Sequence, residues 1–245
     1  MTDITGTGSS RKAIHVPMDV VRPYRPEDEP VVTELLVRAF HDDPGYQHAF
    51  PDNRSRALHT ILPALLHLRL ESGTVRVCER DGTAVGVAVS GPSTVRFGLV
   101  AYLRHGLATM PFTLGFATVQ RMLSADGEIG ELRRSVVPSE PHQYLATLAC
   151  HPDHQGTGVG GRLMRAFLEE DVDPARQHAA LVTTKSDNVV WYRKFGYRVA
   201  GQCGIHQSFT AFCMVRRAEF SDGGPPKPAA SPQSQSVPID ADVDE

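Results

Sequence analysis

Long apolar runs are missing from this chain, and the N-terminus has no apolar stretch behind a basic start. A membrane-spanning helix needs about 20 consecutive apolar residues, and an export signal needs an apolar core, so neither is expected and a cytoplasmic location follows. Excess charge of one sign is missing too. With 25 Lys and Arg against 28 Asp and Glu, the net charge of −3 gives no general attraction to nucleic acid or to an anionic lipid surface. Cysteine is sparse: Cys78, Cys150, Cys203 and Cys213 form no CxxC pair and have no flanking histidine pattern, which argues against a disulfide framework and a zinc site. Buried, reduced thiols are expected. No internal repeat is visible.

What is present suits one sizeable core. The chain has 245 residues, 41% of them hydrophobic, enough for one main domain, monomeric or homodimeric. Residues 1–17 and 219–245 lack periodicity and are rich in small, polar, Pro, Ser and acidic residues, so disordered tails are expected around a domain spanning 18–218. Within it, Val20 to Tyr24 alternates like a strand, and Pro26 to Pro30 opens a helix carrying Val32, Leu35, Leu36, Ala39 and Phe40. Asp42 to Gly45 reads as a loop before a second helix, Ser55 to Leu70, kinked at Pro63. Thr74 to Cys78 and Thr83 to Val89 read as strands joined by the hairpin signal Arg80-Asp81-Gly82. A helical insertion, about 91–140, follows, with Phe112, Phe116, Val119 and Leu123 at helical spacing behind Pro111. It is expected to cover one sheet face and to help shape a substrate pocket.

The most informative stretch runs from Leu145 to Tyr197. An apolar strand ends at Cys150, and a loop, His151-Pro152-Asp153-His154, leads into Gln155-Gly156-Thr157-Gly158-Val159-Gly160-Gly161. A helix then carries Val159, Leu163, Ala166 and Phe167 on one stripe. A strand at Ala179 to Thr183, a short helix at Asp187 to Phe195, and closing strands at Tyr197 to Gln202 and Phe209 to Val215 complete the order. Glycines at the opening of a helix leave backbone N–H groups unpaired and aimed at one point, which suits a pyrophosphate. The run also fits GxGxxG, but the strand that follows ends in Thr183-Thr184-Lys185 without the acidic residue of a dinucleotide site. No Gly-Lys-Ser/Thr closes it, which excludes a Walker A loop; a glycine-rich turn without a ligand stays open.

Two motifs decide between these readings. Gln155-Gly156-Thr157-Gly158-Val159-Gly160 matches Gln/Arg-x-x-Gly-x-Gly/Ala, and Asn188, Tyr192, Phe195, Gly196 and Tyr197 match Asn-x-x-x-Tyr followed by Gly-Phe/Tyr. In this order and context they resemble the GNAT superfamily of N-acetyltransferases, and Leu145-Ala146-Thr147, His151 to Gln155, and Thr184 with Tyr192 to Tyr197 look similar to puromycin N-acetyltransferase and its relatives. The resemblance implies an α/β (α+β) fold: a mixed, mostly antiparallel central sheet splayed around the cofactor, helices on both faces, and the helical insertion before the fourth strand. It implies acetyl-CoA as cosubstrate, no metal, and a small-molecule primary amine, an antibiotic or other metabolite, as acceptor. The alternatives are a protein lysine or N-terminal acetyltransferase and a non-catalytic acyl-CoA sensor.

Carried over by position, the resemblance gives Leu148, Ala149 and Cys150 to the pantetheine arm and the thioester oxyanion. The amides of Gln155, Gly156, Thr157, Gly158, Val159, Gly160 and Gly161 go to the pyrophosphate. Arg162 could add a phosphate contact or be a solvated arginine. Tyr192, protonated at neutral pH with a reference pKa of about 10, would donate to the departing thiolate, and with Asn188 one turn earlier on the same helix face both side chains would point toward the cofactor and help bind it. A core aromatic role for Tyr192 is the alternative. No acidic residue lies between His142 and Cys150, so His142, Asp42, Asp43 or a water chain is left to deprotonate the amine. His151 and His154 lack a third ligand of clear spacing and read as loop residues rather than a metal site. Phe116 is expected in the core; Met110 and Phe112 are left between core and pocket. Cys150, ending a buried strand, is expected to pack rather than carry an acyl group.

Overall fold

The computed structural model describes residues 18–95 and 97–218, so both expected tails lie outside the described residues. Its strands are β1 (Asp19–Pro23), β2 (Thr74–Arg80), β3 (Thr83–Pro92), β4 (His142–Cys150), β5 (His178–Thr183), β6 (Arg198–Ile205) and β7 (Phe209–Arg216). They form one sheet in the order β1-β2-β3-β4-β5-β7-β6, antiparallel everywhere except between β4 and β5. The helices are α1 (Glu29–Phe40), α2 (Pro44–Ala49), α3 (Arg54–Leu70), α4 (Leu99–Arg104), α5 (Met110–Thr113), α6 (Phe116–Val136), α7 (Val159–Phe167) and α8 (Ser186–Arg193). None of them is long and apolar enough to cross a membrane among the described residues.

The β2–β3 hairpin forms where Arg80-Asp81-Gly82 places it. Asp81 and Gly82 have φ of 50° and 80°, the left-handed pair that matches the twist of the two strands. The expected loop at Asp42 to Gly45 is instead partly helix. Asp43 caps α2 by accepting from the amides of Gly45 (2.9 Å) and Tyr46 (3.3 Å), and Pro44 takes the first helical position, where its missing N–H costs nothing. Pro63 lies inside α3, which continues through it.

Two apolar cores lie on opposite faces of the sheet. On one, Val77, Val87, Val89 and Ala149 meet α1 and α3; on the other, Cys78, Ala88 and Leu145 meet α7 through Val159, Leu163 and Phe167. Gly86 sets the distance of α7. A Cβ there would stand 2.5 Å from Val159 Cγ1 and 2.9 Å from Leu163 Cδ1, so the helix rests on bare backbone.

The insertion departs from expectation. Gly115, with φ of 87°, breaks the helical run between α5 and α6. The Phe112 and Phe116 side chains are exposed at 83% and 72%, which corrects the core placement of Phe116, while Met110 is buried. Of the stripe that helical spacing identified, Leu123 is exposed as well, and Val119 packs in part against the α1/α3 core. No side chain of α6 is fully buried.

Ion pairs stitch the β1 edge. Arg22 binds Asp28 through two nitrogens (2.7 and 2.8 Å) and Glu79 at 2.6 Å. Asp19, its side chain only 4% exposed, accepts from Arg80 at 2.6 and 2.8 Å and faces Arg162 at 3.2 Å. The Arg80 hydrogen bonds hold the Asp19 carboxyl below its ordinary pKa against the opposing effect of burial.

Two measurements check this packing. Gly86→Val forces a branched side chain against α7, and a loss of about 1–3 kcal/mol in denaturant unfolding is expected. Asp19→Asn is expected to cost about 1.5–3 kcal/mol at neutral pH. Because folding depresses the Asp19 pKa, the stabilisation is present above an unfolded value of about 3.9 and lost as pH falls through the lower folded value. The unfolding curves of the two proteins should therefore converge in acid; a gap that persists there would show that the charge is not its source.

Candidate active site

The site is built where β4 and β5 part. They pair in parallel only from His142↔His178 to Leu145↔Leu181. Beyond that, β5 keeps β7 through Thr183↔Phe212, and β4 keeps β3 through Cys150↔Gly86, leaving a gap between them. A bulge lies at the same point. Val89 pairs with Thr147 and Ser90 with Leu145, so Ala146 is an extra residue on β4. Such an insertion bends a strand and raises its twist. It also resets the alternation: Leu145, Leu148 and Cys150 join the α7 side, and Ala146 and Ala149 the α1/α3 side. The three residues assigned to the pantetheine arm, Leu148, Ala149 and Cys150, thus form the β4 border of the gap.

The glycine run closes one end of it. Gly156 and Gly158 have φ of 75° and 95°, and a Cβ at either would meet nothing within 4 Å. They are there for backbone shape. The close approaches at Gly160 and Gly161 come from the protein itself: a Cβ at Gly160 would lie 3.4 Å from Cys150 Sγ and 3.5 Å from Trp191, and one at Gly161 3.9 Å from Phe195. Room for a phosphate is therefore not what glycine supplies at these two positions. Gln155 turns back, its Nε2 donating to the Cys150 carbonyl at 3.3 Å. Arg162, half exposed, faces Asp19 rather than the loop. Arg80 takes that place: its Nη1 donates to Thr157 Oγ1 at 3.1 Å and lies 3.3 Å from His154 Nδ1. Sequence reading missed Arg80 because it lies 77 positions from Thr157.

His151 and His154 serve the loop. The Asp153 amide donates to His151 Nδ1 at 3.3 Å, and the two imidazoles meet edge to face at 5.8 Å.

Tyr192 is buried against Trp191 and Tyr197, at 5.1 and 5.9 Å between ring centroids. Burial raises its pKa well above the ordinary phenol value, with smaller contributions from Cys150 and Tyr144, which place the ring beside β4. Such a phenol is a proton donor at neutral pH and a poor base. Asn188 is engaged within the protein: its Nδ2 donates to Thr183 Oγ1 at 3.2 Å and secures the turn out of β5.

The three candidate bases separate clearly. Asp42 is 81% exposed beside His41. His142 begins β4, three residues before its pairing with β5 ends; burial lowers its pKa, Nδ1 meets the Glu140 carbonyl, and Nε2 is buried without a partner. Asp43 stands at the end of β5, where Thr184 Oγ1 donates to its Oδ2 at 2.7 Å while Oδ1 caps α2. Cys150 is a free thiol whose pKa burial pushes up to about 11. It is not a thiolate at neutral pH, which leaves it a packing role.

Helix α6 lies over the α1/α3 side of this region. Its Arg121 donates to the Ala49 carbonyl at 3.2 Å, Glu128 meets His206 at 3.1 Å, and the Arg133 guanidinium sits 3.8 Å from the Tyr144 ring centroid. A Cβ on Gly201 of β6 would come within 2.7 Å of Val136, so the helix end is seated on backbone.

Residues 117–199 match the profile of the acetyltransferase (GNAT) domain, from α6 through both motifs into β6. Among solved structures, the chain is similar to a histone acetyltransferase HPA2 and related acetyltransferase from Corynebacterium glutamicum, with TM-score 0.56, 20% identity and coverage of 84% of this chain and 99% of that one. It is similar to the Drosophila melanogaster polyamine N-acetyltransferase at TM-score 0.55, 17% identity and coverage of 81% and 99%. A mosquito arylalkylamine N-acetyltransferase-like protein matches at TM-score 0.52, 18% identity and coverage of 81% and 99%. At these identities the structures establish the fold, and the profile match falls on the parted strands and the glycine loop. The chain thus has the fold of these acetyltransferases, and its residues 117–199 match the acetyltransferase (GNAT) domain.

Proposed function

We propose that this protein transfers the acetyl group of acetyl-CoA to a primary amine of a small molecule by direct attack. The observation that carries the reading is α6, anchored on α2, β4 and β6, which covers the side of the gap from which an acceptor would approach. A peptide acceptor needs an open groove; a roofed site suits a small amine. The agmatine, polyamine and arylalkylamine acetyltransferases of the same fold agree with an amine acceptor, as does the resemblance to the puromycin N-acetyltransferase group.

The residues fit coenzyme A. At the free edge of β4, Leu148 and Cys150 turn their backbone groups away from β3 and can meet the amides of a pantetheine arm, one of them able to polarise the thioester carbonyl, whereas Ala149 uses its own on Val87. The loop Gln155 to Gly161 and the first turn of α7 offer N–H groups to the pyrophosphate, with Arg80 bracing Thr157. As the amine nitrogen bonds to the acetyl carbon, the C–S bond breaks and Tyr192 supplies the proton to the leaving sulfur. With no carboxylate on β4, the amine reacts as its free base, its proton passing to solvent or to Asp43.

A thiol-release assay over small amines and peptides tests this reading. Small amines should be turned over and peptides not; release with peptides alone would favour protein acetylation. Tyr192→Phe should lower kcat by about 10²–10⁴-fold, with the KM for acetyl-CoA little changed. An unchanged kcat would remove Tyr192 as the acid. The rate should rise with pH through the pKa of the amine. Since folding raises the Tyr192 pKa, the proton donor is retained beyond the ordinary phenol value, and no descending limb belonging to it is expected below about pH 10.

A further inference from the structure

A cleft beside the glycine loop takes no part in the acyl-transfer chemistry. Its volume is about 410 Å³, inside the range of about 300–1,000 Å³ typical of small-molecule sites. Leu35 of α1 with Ala84 and Val85 of β3 are its buried apolar residues. Val31, 43% exposed, and the imidazoles of His151 and His154 line it further, the two rings meeting edge to face at 5.8 Å. Apolar and aromatic surface of this kind suits a flat ring. The polar lining includes Glu34, whose Oε1 accepts from Arg38 at 2.7 Å and whose Oε2 lies 3.3 Å from His59 Nε2.

Direct contacts join this cleft to the loop. Thr157 Oγ1 donates to the His154 carbonyl at 2.7 Å, and Arg80 Nη1 reaches both Thr157 Oγ1 at 3.1 Å and His154 Nδ1 at 3.3 Å. A guanidinium only donates, so His154 Nδ1 is the acceptor; His151 Nδ1 likewise accepts, from the Asp153 amide at 3.3 Å. Each neutral imidazole held in this way carries its proton on Nε2 and has a fixed orientation. His154, which borders the cleft, immediately precedes Gln155, the first of the residues offered to the pyrophosphate. In coenzyme A a single ribose separates the pyrophosphate from the purine. A pyrophosphate on the loop therefore puts a flat base within reach of the cleft.

We propose that the cleft holds the purine of the cofactor's adenosine, its ring against His151, His154 and Val31 and its exocyclic amino group donating to Glu34. This rests on the acetyl-CoA reading and adds to it a base subsite on the α1 side of the loop. Each Glu34 oxygen keeps a lone pair beyond those met by Arg38 and His59. A 6-oxo purine would turn an acceptor toward that carboxylate, so adenine is favoured over hypoxanthine. The imidazoles are held in place before the ligand arrives, which limits the ordering cost of stacking on them.

Binding measured by calorimetry tests it apart from turnover. Coenzyme A and 4′-phosphopantetheine share the thiol arm and differ by the nucleotide. His151→Ala removes one ring of the stack; it should weaken coenzyme A by on the order of 5–150-fold, the effect of losing one base–aromatic stack, and leave 4′-phosphopantetheine as it was. His151→Phe, which keeps a ring, should retain the affinity. The unaltered chain should bind coenzyme A about 5-fold or more tightly than its hypoxanthine analogue, and Glu34→Ala should bring that ratio toward one. A loss shared by coenzyme A and 4′-phosphopantetheine would place the effect in the loop, and an unchanged coenzyme A affinity would put the base elsewhere. Either result overturns the proposal and leaves the acetyltransferase reading standing. Failure of the unaltered chain to bind coenzyme A at all would sink both.

Discussion

The parting of β4 from β5 after Leu145 and Leu181 is the constraint on which the site depends. Past that point the edge of β4 that faced β5 has lost its ladder, although β3 still pairs its other edge as far as Cys150. Backbone N–H and C=O groups inside a protein need partners. An extended ligand carrying amides can supply them as an added strand would, and a pantetheine arm is such a ligand. The bulge at Ala146 joins the two halves of this geometry. By inserting one residue it turns the strand at the mouth of the gap, and it sends Leu148 and Cys150 to the α7 side, where the neighbouring alternation would have sent Thr147.

Once the strands part, the pieces around the gap are held by one another. α7 approaches the sheet at Gly86, so the helix opens close to the β4 border. Gly160 and Gly161 leave space for Trp191 and Phe195, so α8 is packed on the first turn of the same helix. The contact that shapes the anion end therefore also positions Tyr192, next in the chain to Trp191. Asp19 holds Arg80, and Arg80 holds Thr157, so an ion pair on the first strand steadies the loop at the other end of the gap.

Local chemistry was legible in the sequence, and tertiary choices were not. Asp81-Gly82 could be read as a hairpin because its left-handed backbone is a property of those two residues alone. The glycine loop and the Asn188 to Tyr197 segment could be read because a motif fixes both residue type and spacing. Asp43-Pro44 looked like a loop since the same pair serves a turn or a helix start, and α2 is too short to show a periodic stripe. Phe116 showed helical spacing, yet spacing does not say which side of a helix meets the protein, and its side chain is exposed. Nothing marks Ala146 as a bulge, and Arg69 and Arg133 look like ordinary solvated arginines until the fold sets them on Phe97 and Tyr144.

The charge state around the gap unifies the chemistry. Burial keeps the Tyr192 phenol and the Cys150 thiol protonated, and it favours a neutral imidazole at His142. With no acidic residue on β4 either, that strand brings no fixed negative charge to an amine. A carboxylate on β4 would stabilise the ammonium until it took the proton itself. In the proposed reaction the lack of an acidic residue on β4 and the buried, protonated phenol of Tyr192 are then two sides of one arrangement, in which the amine arrives as its free base and the leaving sulfur receives the proton.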